Sequence, residues 1–192
     1  MAKRKTNKLL TISKYIKYAV IAVLLVALLA PLGPAITWTV RTATGYMSSD
    51  YGSGFNFMFS NVIRGNIEFK STLNAISPLI AWILVAISFV LTVISLFTNK
   101  SKFSFVLTPL VMVLLIASAI LSLSSHKEVA TVLANALTGT NDENIAETIY
   151  KNTTLNFGII GCGIFSAIGA FACLVNLFFS GTVDKVRSKV KK

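Results

Sequence analysis

Acids, histidine and cysteine are all scarce in this chain of 192 residues, which holds seven Asp and Glu, one His and two Cys. His126 stands alone at the edge of an apolar run, where it reads as solvated, and no histidine-based triad or metal site can be built around it. Cys162 and Cys173 lie eleven residues apart in one apolar stretch, and a helix holds residues at that spacing too far apart to bond. That leaves no disulfide framework, no CxxC pair and no zinc spacing. Charge is scarce as well, at 13% of residues, against roughly a quarter in average soluble domains. A soluble chain of this size could not bury 54% hydrophobic residues in one core. A disordered chain needs low hydrophobicity. An integral membrane protein remains.

What is present is four long apolar runs. A helix needs roughly 17–25 apolar residues to cross the hydrocarbon core, and Tyr18–Ile36, Ile76–Phe97, Phe103–Ser124 and Phe157–Phe179 each qualify. None carries an Asp, Glu, Lys, Arg or His. Barrel strands would be shorter and would alternate, which Val20–Ala30 does not. The charges orient the spans, because Lys and Arg collect on the cytoplasmic side. The N-terminal segment, the short connection at 98–104 and the C-terminal tail hold 13 Lys and Arg against one acid, Asp184. The other two connections hold five basic residues and six acids. The net charge of +11 therefore sits on one face, and both termini are expected in the cytoplasm. Gly33-Pro34-Ala35 loosely resembles a signal-peptide cleavage site, but the basic region is long and proline beside the cut is unfavourable; the run is read as a retained span. Leu9, Ile12 and Ile16 among lysines suggest an interfacial helix drawn to anionic lipid. No aromatic or motif context points to nucleic acid.

The first outer connection, about 37–75, is long enough to fold. Ile36, Trp38 and Val40 alternate with polar residues, as in a half-buried strand. Thr44–Gly54 reads as loop. Phe55, Phe57 and Phe59 alternate again and predict a second strand, and Arg64-Gly65-Asn66 predicts a turn into Ile67-Glu68-Phe69. The sequence thus predicts an all-α membrane fold: a four-transmembrane-helix bundle with a small extracytoplasmic antiparallel β-sheet in the first outer loop, a single domain over 1–192. The second outer connection, about 125–156, carries Val129, Val132, Leu133 and Leu137 at helical spacing, so the third helix is expected to continue to a stop near Gly139. A short acidic helix should follow, from Asn141-Asp142-Glu143-Asn144 to Tyr150. Asp142, Glu143 and Glu147 lack the ligand spacing of a calcium loop and read as a solvated helix start.

Chemistry inside a bilayer usually needs ionisable groups, and the spans offer only Ser88, Thr92, Ser95, Ser118, Ser122, Ser166 and Asn176. Sorted by depth, these are not expected to meet at one level or to form a polar lane; interhelical hydrogen bonds or i−4 backbone bonds are their expected roles. No catalytic residue, cofactor or metal site is expected. In the fourth run Gly158, Cys162, Ser166 and Ala170 recur every four residues, a spacing that lets helix backbones approach closely. Lys outnumbers Arg 14 to 4, and that ratio with the missing disulfides leans towards a bacterial source, Gram-positive or similar.

Four spans, both ends inside, a long first outer segment with strands and a shorter second one resemble the claudin-like tetraspan group in topology. Trp38, shortly after the first helix, matches a tryptophan of that group; its Gly-Leu-Trp signature and two spaced cysteines are absent. The resemblance implies a small outer sheet that contacts other cells or partner proteins. The expected function is accordingly a non-enzymatic envelope interaction or scaffold protein in the cell membrane. Its contact face would be Trp38, Phe55, Phe57 and Phe59, and its partner a membrane protein or its own copies. The alternative is an oligomeric small-solute pore or transport component, for which Ser88, Thr92 and Ser95 give the one polar helix face.

Overall fold

The computed structural model describes the backbone of residues 2–42, 45–64, 67–97 and 101–190, with side chains over 11–39, 45–63, 67–97 and 106–179. Four helices form the body: α1 (Ala2–Leu29), α3 (Ile76–Phe97), α4 (Ser101–Ser124) and α7 (Phe157–Val190). Each contains a stretch long and apolar enough to cross a bilayer. They close a ring in which α1 and α4 each pack between α3 and α7.

The inward seam of each helix is marked by small and polar residues more than by apolarity, because the lipid-facing side is just as apolar. On α3, Pro78, Ala81, Val85, Ser88, Thr92 and Ser95 are the buried residues. They recur at alternating spacings of three and four, the period of left-handed helix packing. Ile80, Ile83, Ile87, Val90 and Ile94 cover the exposed side. The core between the helices holds Val20, Leu24, Ala27, Val85, Val111, Leu115, Cys162 and Ala170.

The first helix is shorter at its far end than expected. It stops at Leu29, passes through one 3₁₀ turn (Ala30–Leu32) and enters β1 (Pro34–Thr42). Pro31 has no N–H to continue the helix ladder, and beside this break the Leu28 carbonyl accepts from Trp82 Nε1 at 3.1 Å. Ile36, the expected end of the span, is therefore a buried strand residue. Pro109 lies inside α4, which runs on through it.

All remaining elements gather at the end of the bundle opposite the chain termini and form a cap. Here two expectations are corrected. Thr44–Gly54 is no loop: Gly45–Ser53 is strand β2, paired antiparallel with the whole of β1 from Pro34↔Ser53 to Thr42↔Gly45. Of its side chains only Tyr51 is buried, so the strand is held by its ladder and lacks an apolar stripe. The Phe55–Phe59 alternation is no strand: Gly54–Met58 is a one-turn helix, α2. Its start is a capping box in which Ser53 Oγ accepts from the Asn56 amide and Asn56 Oδ1 accepts from the Ser53 amide at 2.7 Å. Five residues are too few to separate a period of two from one of 3.6.

The expected hairpin is present as β3 (Asn61–Arg64) and β4 (Ile67–Lys70); the turn residues Gly65 and Asn66 lie outside the described residues. Helix α5 (His126–Thr138) continues α4 after Ser125 and ends at Gly139, whose φ of 70° is left-handed. Helix α6 (Glu143–Asn152) is capped by Asp142, which accepts from the Asn144 amide at 2.8 Å. A strand with no forewarning follows: β5 (Thr153–Leu155) adds to the other edge of β1, opposite Ile36, Thr37 and Trp38. The sheet thus joins both connecting segments, in the order β2-β1-β5.

The cap has its own core of Ile36, Tyr51, Phe57, Val62, Val129, Leu133, Ile149 and Ile159. Three points hold the cap together and fix it to the bundle. The Glu128 carboxylate on α5 caps the start of α3, accepting from the amides of Ile76 and Ser77. Buried Asn135 accepts from Ser71 Oγ (2.9 Å) and the Thr72 amide (2.7 Å) and donates to Asn141 Oδ1 (2.7 Å). At the third point Gly33, Gly54 and Gly158 bring three backbones together, with the Gly54 amide donating to the Gly33 carbonyl at 3.1 Å.

Candidate functional site

The β1–β2 hairpin is a long element of the cap with exposed side chains at its far end. Nine-residue strands span about 30 Å, and β5 covers β1 only at residues 36–38. Beyond that point the β1–β2 hairpin is a two-stranded ribbon. Thr39, Tyr46, Met47 and Ser48 are exposed, with Tyr46 75% and Met47 64% accessible. Successive residues of a strand point to opposite faces, so both faces of the ribbon are open here. Isolated two-stranded ribbons are marginal in water; this one is anchored at its base by Trp38 and Tyr51, whose ring centroids lie 6.1 Å apart. Tyr46 and Met47 escaped the sequence reading because β2 has no alternating pattern to mark it.

The four aromatic residues expected to form one face are dispersed. Trp38 is half-buried against the cap core. Phe57 is fully buried in that core. Phe55 sits edge-on to Trp82, with centroids 5.4 Å apart. Phe59 alone is well exposed, at 59%, and stacks on Phe55 at 6.5 Å. One helical turn keeps Phe55 and Phe59 on one side and turns Phe57 into the core, where a strand would have aligned all three.

Gly158, Cys162, Ser166 and Ala170 on α7 are all buried within the chain's own bundle. A Cβ on Gly158 would stand 2.2 Å from the Gly33 carbonyl oxygen, so this position permits the approach of α7 to the start of β1. The intramembrane polar groups gather in two separate sets, the first through the expected interhelical hydrogen bonds. Ser118 Oγ lies 3.1 Å from Ser166 Oγ and donates to the Ala81 carbonyl at 3.0 Å. Thr92, Ser95 and Asn176 line a common cavity nearer the termini.

Titratable groups of the cap serve structure. The His126 ring packs on Tyr150, centroids 4.5 Å apart, and is half-buried, so it is less solvated than expected. Thr153 Oγ1 donates to the Ile149 carbonyl at 2.8 Å and so accepts from His126 Nε2–H at 3.2 Å. Burial pushes the His126 pKa below 6.5, partly opposed by hydrogen bonding to the Thr153 backbone. Glu147 is held below the usual carboxylate range by its hydrogen bond and ion pair with Lys151, 3.0 Å away. Among the described residues no three metal-ligating side chains gather.

Four apolar helices of sufficient length make the chain a multi-pass membrane protein: a four-helix bundle with a small antiparallel sheet in a cap at one end. It matches no protein-family model, and no curated protein is detectably similar to it.

Proposed function

We propose that the chain is a non-enzymatic scaffold or interaction protein of the cell membrane, and that its cap is the contact surface for a membrane partner or a second copy. The observation that carries this reading is the β1–β2 ribbon, which exposes Tyr46 and Met47 at a tip standing clear of the cap core. Large amphipathic side chains on a protruding element are what contact surfaces are enriched in. The claudin-like layout supports the same role, since in that group the first outer segment makes the contacts. The excess of Lys and Arg at the termini supports a cytoplasmic location for both ends, with the cap outside and anionic lipid around the basic face. The pore alternative finds less support. Ser88, Thr92 and Ser95 are buried inside the bundle, while the exposed helix faces described are apolar, so no polar stripe is offered to line a path between copies.

The test is photocrosslinking in intact membranes with a photoreactive residue replacing Tyr46 or Met47, and at Ile94 on the lipid-facing side as control. A discrete adduct from the ribbon positions, with none at Ile94, is expected. A dimer-sized adduct identifies a second copy and a larger one a partner. Ribbon positions that capture nothing more than the control does would remove the contact reading.

A further inference from the structure

At the end of the bundle nearest the termini two lysines lie within α1's apolar stretch, Lys14, which is exposed, and Lys17, which is partly buried. Lys17 lies six residues inside α1's apolar stretch, which begins at Thr11, so its Cα is about 9 Å deep. A charge at that depth is costly unless its head escapes or is coordinated. Here the side chain is half-buried, and Nζ donates to the Ser95 carbonyl at 3.1 Å. Ser95 is two residues before the last residue of α3. The ammonium therefore sits within about 3 Å of that helix end, at the depth of lipid headgroups.

Around it the four helices leave a small cavity with room for about one water-sized group. Polar lining comes from all of them: Lys17 of α1, Thr92 and Ser95 of α3, Thr108 of α4 and Asn176 of α7. Their hydrogen bonds fix what each can offer. Asn176 Oδ1 accepts from Ser13 Oγ at 2.6 Å, so Asn176 presents its Nδ2–H₂ edge to a ligand. Thr92 and Ser95 spend their hydroxyl protons on the carbonyls of Ser88 (2.7 Å) and Thr92 (2.8 Å), so their oxygens present lone pairs. The cavity thus combines a cation and an amide donor with two hydroxyl acceptors. Among the described residues no carboxylate lines it.

We propose that the mouth of this cavity is a specific site for one phosphate group of a phospholipid with a hydroxylated headgroup. The phosphate would bind Lys17 and Asn176 at the mouth, and one headgroup hydroxyl, the size of a water, would enter between Thr92 and Ser95. Basic pockets between membrane helices bind phospholipid headgroups in this manner. The proposal rests on the multi-pass reading of the four helices, and both leaflets contain phosphate, so it holds whichever side the termini face. It differs from general attraction of the basic tails to anionic lipid in being saturable and in depending on one lysine.

The experiment is native mass spectrometry of the full chain from bilayers of phosphatidylcholine with added phosphatidylglycerol. Wild type should retain one phosphatidylglycerol, and Lys17→Met should lower its occupancy about tenfold, the scale of one charged hydrogen bond. Lys14→Met removes the same charge from an exposed position beside Tyr18 and should leave retention unchanged. Equal losses in both variants, or none in Lys17→Met, would overturn the proposal. Inorganic phosphate displacing the lipid from wild type supports a phosphate site also open to the free ion. Failure of millimolar phosphate to compete supports the lipid alone. Should Lys17→Met fail to fold, Asn176→Asp keeps an acceptor for Ser13 and adds a negative charge to the lining; full retention of lipid by that variant also refutes the site. Alkaline extraction of the membranes tests the multi-pass reading separately, since a chain released by carbonate would fail there first.

Discussion

Replacing Gly158 with alanine tests how the bundle and cap are joined. The added Cβ would lie 2.2 Å from the Gly33 carbonyl oxygen and 2.6 Å from that of Pro34, separations that real Cβ atoms do not show. Both neighbours are backbone and both are restrained. Gly33 O accepts from the Gly54 amide at 3.1 Å, and the adjacent Ala35 carbonyl accepts from the Asn156 amide at 2.8 Å. Relief requires α7 and the start of β1 to separate by about 1 Å, which forfeits a quarter to a half of the contact energy along that seam. Overpacking of this kind costs about 1–3 kcal/mol, and the gain of alanine over glycine inside a helix returns at most about 1 kcal/mol. A net loss of about 2 kcal/mol is expected. Gly169→Ala is the matched control on the same helix: its Cβ would meet the methyl ends of Leu115 at 3.1 Å and Leu24 at 3.4 Å, which can turn aside. Equilibrium unfolding in mixed micelles, followed by the fluorescence of Trp38 and Trp82, compares the two. If Gly158→Ala proves as stable as Gly169→Ala, the three-backbone junction is not where the cap is fixed.

Three further outcomes are expected. Phe57→Ser empties a fully buried position and should cost about 3–5 kcal/mol, whereas Phe59→Ser should change stability by less than about 1 kcal/mol; thermal melts that rank them the other way refute the α2 geometry. Asn135→Leu leaves the Thr72 amide and the Ser71 hydroxyl without their acceptor and should cost about 2–3 kcal/mol, with faster protease cleavage near residues 71–75; unchanged cleavage would show that the segment is held by other contacts. His126 has a folded pKa below its unfolded 6.5, so the folded state favours the neutral ring. That contribution is present above pH 6.5 and is lost as pH falls through the lower folded value. Melting temperature should therefore drop more steeply below pH 6.5 in wild type than in His126→Gln, and parallel profiles would discard the assignment.

Much of the bundle was legible from composition. Runs of about twenty uncharged residues admit few alternatives in a bilayer, and small residues on α7 marked the side that packs. Helix α5 with its Gly139 stop and the acidic start of α6 were legible too, since each rests on signals only a few residues long. The cap sheet was misread for two opposite reasons. At Phe55–Phe59 a pattern was present but too short to carry a period, and the Ser53–Asn56 capping box decided for helix. At Gly45–Ser53 no pattern was present at all, because the strand is made by its ladder to β1 and buries one residue.

The sequence by itself therefore determined what depends on the amount and order of apolar residues: four membrane helices, their boundaries to within a turn or two, and a charge asymmetry between the two faces. Tertiary structure alone decided what depends on which segments are neighbours. It added β5 to β1 across more than a hundred residues, drew Phe57 inward while leaving Phe59 out, and brought Lys17, Thr92 and Asn176 from three helices to one cavity. Burial in lipid is a property of single residues and is written locally. Partner choice among helices and strands is settled by close approach, as at Gly33 and Gly158, and no window along the chain contains both sides of such a contact.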